Sequence, residues 1–144
     1  MIKRRLALFI CLAALVPSAL AGSLYSSPSQ AGALATSVII KGEGLYNLIV
    51  SVQFLTKPSN RATFNSIHYQ EMIDRLNVEW RGIVLKRVLS SNSYRISDLA
   101  SLKEKIDADL SQLVFTAKKK HGVNENTEVI YSIGSFYLLS PNKE

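Results

Sequence analysis

The sequence predicts an α+β domain of two layers, with elements in the order β-β-α-α-β. Three observations carry this. Two β-rich segments flank a Gly-Glu-Gly turn early in the chain, two long amphipathic stretches fill its middle, and a last β-rich segment closes it. Helices that are apolar on one face need a sheet to cover, and the last strand is expected to insert beside the hairpin. One domain over residues 33–140 holds all five elements.

The chain opens on Met1-Ile2 and the basic cluster Lys3-Arg4-Arg5, followed by an uncharged, mostly apolar run from Leu6 to Leu20 that ends in Ala19-Leu20-Ala21. A basic start, a short apolar core and small residues at the −3 and −1 positions form the layout of a secretory signal. Its fifteen apolar-run residues fall short of the roughly 20 that span a hydrocarbon core. Pro17 disfavours helix near the end. Residues 1–21 therefore read as a Sec-type signal peptide cleaved between Ala21 and Gly22, which places the domain in the periplasm. The alternative is an uncleaved anchor extended through Leu24, with the domain at the inner membrane facing the periplasm. Residues 22–32 are small and polar and read as a flexible lead-in.

The first strand is expected over Leu34–Lys41 and the second over Leu45–Leu55. In the second, Leu48, Val50, Val52 and Phe54 alternate with Ile49, Ser51 and Gln53, so one face is apolar. Gly42 and Gly44 on either side of Glu43 allow the positive φ angles of a tight hairpin. Lys57-Pro58-Ser59-Asn60 breaks the strand. The first helix is expected over Ser66–Leu89, where Met72, Leu76, Trp80, Ile83 and Val84 recur at steps of three and four. Trp80 reads as a core anchor. Gly82 inside this helix costs about 1 kcal/mol against alanine, which suggests close packing there.

Ser90-Ser91-Asn92-Ser93 ends that helix, and Tyr94–Asp98 connects to the next. Ser101-Leu102-Lys103-Glu104 fits a capping box. Leu99, Leu102, Ile106, Leu110, Leu113, Val114 and Ala117 form an apolar stripe. Lys118-Lys119-Lys120-His121 suits the negative helix terminus, and Gly122 supplies the cap. The last strand covers Thr127–Ile133 and resumes at Phe136–Leu139, with a bulge at Gly134-Ser135. Pro141 opens a polar tail over 141–144.

Charge and composition exclude several functions. The net charge of +6 includes Lys3, Arg4 and Arg5, so the domain without its signal carries only +3, which argues against a nucleic-acid partner. The one cysteine, Cys11, leaves with the signal, so no disulfide, thiolate nucleophile or cysteine metal site is expected. His68 and His121 lack metal-type spacing, and both have structural explanations at helix ends. Asp107 and Asp109, two apart on a helix, cannot form a close acid pair. No H-E-x-x-H, G-x-S-x-G or phosphate-binding glycine loop occurs. The expectation is a protein without catalytic residues, cofactor or metal; a small periplasmic hydrolase is the least favoured alternative. The candidate partner-binding residues are the cations Arg81, Arg87, Lys118, Lys119 and Lys120. The three lysines fit an acidic partner or anionic head groups, with helix termination as the plainer role.

From Lys41 onward the pattern resembles the periplasmic domain of the FliL family of flagellar basal-body-associated proteins. The counterparts are Asn47–Phe54; Arg81-Gly-Ile-Val-Leu-Lys-Arg-Val-Leu-Ser90; Ile96-Ser-Asp-Leu-Ala-Ser-Leu-Lys-Glu-Lys-Ile106; and Thr127-Glu-Val-Ile-Tyr-Ser132. The resemblance implies a stomatin-like domain that forms homo-oligomers and supports the flagellar stator, and hence motility, through protein contacts alone. Family members keep an N-terminal membrane anchor, whereas the start of this chain reads as cleavable. A second reading, unrelated to motility, is a small periplasmic adaptor or inhibitor that binds an envelope protein through its sheet edge.

Overall fold

The computed structural model describes residues 32–140. The expected signal with its Ala21–Gly22 cleavage point, most of the lead-in and the tail 141–144 lie outside the described residues. Six elements follow in order: β1 (Ala33–Ile40), β2 (Gly44–Lys57), α1 (Arg61–Phe64), α2 (Ile67–Val88), α3 (Asp98–Lys120) and β3 (Glu128–Leu139). The strands form one antiparallel sheet in the order β1-β2-β3. The closing strand thus pairs with the second strand of the hairpin, and α2 and α3 cover one face. This is the expected two-layer α+β arrangement.

The hairpin turns through Lys41–Glu43, with Ile40 opposite Gly44. Gly42 and Gly44 hold φ angles of 84° and 107°, values that side-chain-bearing residues rarely adopt. The Tyr46 hydroxyl donates to Glu43 Oε2 at 2.8 Å and fixes the turn's acidic tip. That hydrogen bond raises the Tyr46 phenol above its ordinary range.

The alternation in β2 sorts its side chains as expected. Leu48, Val50, Val52 and Phe54 are fully buried against the helices. From α2 they meet Tyr69, Met72, Leu76, Trp80, Val84 and Val88, and from α3 Leu102, Ile106, Leu110, Leu113 and Ala117. Trp80 is 1% exposed and anchors this core. Truncating a buried tryptophan to alanine costs about 3–5 kcal/mol.

Three local features depart from the sequence-based expectation. A one-turn helix, α1, absent from the expected order, follows directly on the Lys57–Asn60 strand break, and Asn60 Oδ1 accepts from Thr63 N at 2.8 Å and caps it. Helix α3 begins at Asp98, three residues before Ser101, so the Ser101–Glu104 pair lies inside the helix and caps nothing. The Asp98 carboxylate instead accepts from Arg95 N at 2.9 Å and holds the entry turn. Gly82 has open space around it: a β-carbon placed there would meet nothing within 4 Å, so no close packing explains it. Its exposed helix face simply meets solvent.

The end of α3 and the bulge in β3 follow the sequence. Val123 N bonds Lys118 O at 3.1 Å and Gly122 N bonds Lys119 O at 3.3 Å, with Gly122 at φ 58°. These are the paired bonds of a Schellman cap. In β3 the register shifts between Ser51 and Val52, whose partners are Ser135 and Ile133, leaving Gly134 unpaired.

Candidate functional surfaces

The helices cover one face of the sheet and leave the other open. Ile39 and Leu45, Leu55 and Ile130, and Ile49 and Tyr137 are cross-strand partners on that open face. With Leu139, they include half of the exposed large apolar side chains among the described residues. Between them lie Ala35, Ser37, Asn47, Ser51, Gln53 and Ser132. Among the described residues, charge enters this face only at one end, where Lys57 sits opposite Glu128. The sequence shows the alternation in β2, but not that Leu45, Ile49 and Leu55 face away from both helices. Their exposure depends on both helices packing on the same side.

The two edges of the sheet differ. At the end of β1, Tyr94 N donates to Ile39 O at 2.9 Å and Tyr94 O accepts from Lys41 N at 2.8 Å, forming a bridge with Ile40. Tyr94 is buried, and its hydroxyl donates to the Val88 carbonyl. The connector between α2 and α3 therefore blunts the outer edge of β1. The outer edge of β3 has no strand beside it among the described residues.

Arg81, a candidate for partner binding, is engaged within the chain. Its guanidinium stacks over the Trp80 ring at 4.7 Å and donates to Asn77 O at 3.1 Å. It also lies against Gly32, where a β-carbon would come within 2.6 Å of Nη2. Arg87 makes a two-pronged pair with Asp109 across α2 and α3, at 2.8 Å from Nε and 2.7 Å from Nη2. The hydrogen bonds and charge of Asp109 hold the Arg87 guanidinium above its usual range. Lys118 Nζ donates to Glu125 O at 3.2 Å, and Lys119 and Lys120 are exposed at the end of α3. The fold thus separates the five cations: Arg87 sits at the α2–α3 seam, Arg81 lies on α2 against Gly32, and the three lysines stand at the end of α3.

The two histidines, 53 positions apart, both approach Glu71. His121 Nδ1 lies 3.4 Å from Glu71 Oε2 and His68 Nδ1 lies 3.8 Å from it. No group of three such side chains with metal-holding geometry exists among the described residues. Asp107 and Asp109 point apart, one toward β3 and one toward α2. The Tyr131 hydroxyl donates to Asp107 O at 2.9 Å, and burial, with the Asp107 charge, raises the Tyr131 phenol above its ordinary range. No helix among the described residues is long and apolar enough to cross a membrane.

Comparison with protein families, with curated proteins and with solved structures finds no match to this chain.

Proposed function

We propose that the chain is an exported scaffolding module that works by protein recognition and makes or breaks no bond. The observation that carries this reading is the open sheet face, uncharged over most of its area and rich in exposed isoleucine, leucine and tyrosine. Exposed large apolar side chains concentrated on one face of a sheet, among uncharged polar ones, mark a surface that can meet a partner. The FliL-like pattern gives the reading its finer form: a periplasmic domain that associates with the flagellar stator or basal body and with further copies of itself. Its support is the order of elements. The correspondences from Asn47 to Phe54, Arg81 to Ser90, Ile96 to Ile106 and Thr127 to Ser132 fall on β2, the end of α2, the start of α3 and β3 respectively.

Deletion of the gene is expected to impair swimming while flagella still assemble. Unaltered spreading in soft agar would overturn the motor assignment. N-terminal sequencing of the protein from fractionated cells is expected to start at Gly22, with the protein in the periplasmic fraction. A Met1 start in the inner-membrane fraction would mean a tethered domain. Capture of one soluble envelope protein with no motor component would favour the adaptor or inhibitor reading, in which binding runs through the sheet edge.

A further inference from the structure

The free edge of β3 carries few of the devices that protect natural sheet edges. From Val129 to Leu139 it has no charge and no proline, where exposed edges usually carry one or the other. Only the bulge at Gly134 interrupts it, leaving the runs Glu128–Ile133 and Ser135–Leu139. Among the described residues no strand pairs with this edge from Val129 onward, and such a row of backbone donors and acceptors is complemented by another extended chain.

Beside the first run, on the helix side, a groove separates β3 from α3. It is lined by Ala100, Lys103, Glu104, Asp107 and Ile133. The Tyr131–Asp107 hydrogen bond ties the two elements together next to it. A strand added to β3 would lie about 4.8 Å further out, and its helix-facing side chains would enter this groove. Glu104 and Asp107 present two carboxylates there, and neither has a cation within 4.0 Å among the described residues. Lys103, one turn before Asp107, does not bridge it. On the opposite face, Ile130 stands exposed beside the same run.

The geometry points to β3 as the place where a partner's extended segment joins the sheet as a fourth strand, with a lysine or arginine on its helix-facing side and apolar residues on the other. Backbone pairing supplies the affinity in such additions and alternate side chains supply the selectivity. A long basic side chain can lay its aliphatic stem on Ala100 and Ile133 and bring its charge to Glu104 and Asp107. An acidic side chain in that position meets two like charges. The inference rests on reading the chain as an interaction module, and adds which edge is used and what segment fits.

The test uses the whole exported chain and three synthetic nine-residue peptides of alternating threonine and valine, the central threonine replaced by lysine, glutamine or glutamate. The lysine peptide is expected to shift the amide resonances of residues 128–133, slow their hydrogen exchange, and bind about tenfold more tightly than the glutamate peptide. Glu104 and Asp107 are both exposed, so the double variant E104K/D107K should fold normally and invert the order of the peptides. Three results would overturn the inference: no saturable binding by any peptide, perturbation centred on β1 or α2, or an unchanged order in the charge-reversed variant. A concentration-dependent dimer of the protein alone, abolished by Ile130→Lys, would also overturn it, because a second copy would then occupy the edge. Loss of motility on gene deletion together with absent peptide binding would remove this inference and leave the module reading standing.

Discussion

Removing either half of the Arg87–Asp109 pair tests whether Arg87 belongs to the fold or to a partner. The pair joins α2 to α3 through two charge-assisted bonds of 2.8 and 2.7 Å. Its side chains are 36% and 33% exposed, so water screens part of the attraction. Exposed pairs contribute about 0.2–1 kcal/mol, and two-pronged geometry places this one near the upper end. A double-mutant cycle of Arg87→Ala, Asp109→Ala and both together should therefore return a coupling of about 1 kcal/mol. Each single change, at about 1 kcal/mol, should lower the melting temperature by about 4 °C for a domain of this size. The coupling should weaken markedly in 1 M salt, where the screening length shrinks to about 3 Å. Urea denaturation gives the stabilities. A coupling below about 0.3 kcal/mol would refute the structural role. So would a loss of partner binding in Arg87→Ala with stability unchanged, which would return Arg87 to the recognition surface.

Two glycines should respond in opposite directions. Gly122→Ala forces a side chain into the left-handed cap at φ 58° and should cost about 1 kcal/mol, whereas Gly82→Ala fills open space on a helix and should add up to about 1 kcal/mol; urea midpoints separate them. Tyr131 holds its proton more tightly when folded, so its contribution is fully present below the ordinary tyrosine value of 10.0 and is lost as pH rises through the raised folded value. Tyr131→Phe should therefore show a shallower alkaline fall in stability than the parent chain, measured as urea midpoints on either side of that value.

The elements and the core were legible because each rests on a strong local pattern. The spacing of Met72, Leu76, Trp80 and Val84 defines a helix face before any partner is known, and the Leu48–Phe54 alternation does the same for β2. The Lys118–Gly122 ending needs only the chemistry of a helix terminus. What the sequence hid depends on distant segments. Asp109 looks like a solvated charge until α2 brings Arg87 beside it. Glu71 has His68 one turn away in α2, but its second neighbour, His121, comes from the end of α3. The capping signature at Ser101 misled because Ser97 and Asp98 offer an earlier start. The open face was illegible for a different reason: apolar residues in β2 carry no mark saying which layer will cover them.

Tyr94 sets a limit on growth. Sheets that extend from both edges can recruit neighbours without end, in the manner of a fibre. Here the connector occupies the end of β1, and an incoming chain meets an obstacle on that side. The turn-side end of β1 is closed in this way, whereas the β3 edge has no such bridge among the described residues. A mutation that released Tyr94 from Ile39 and Lys41 would restore a second sticky edge, and its first visible consequence would be insoluble protein rather than lost recognition.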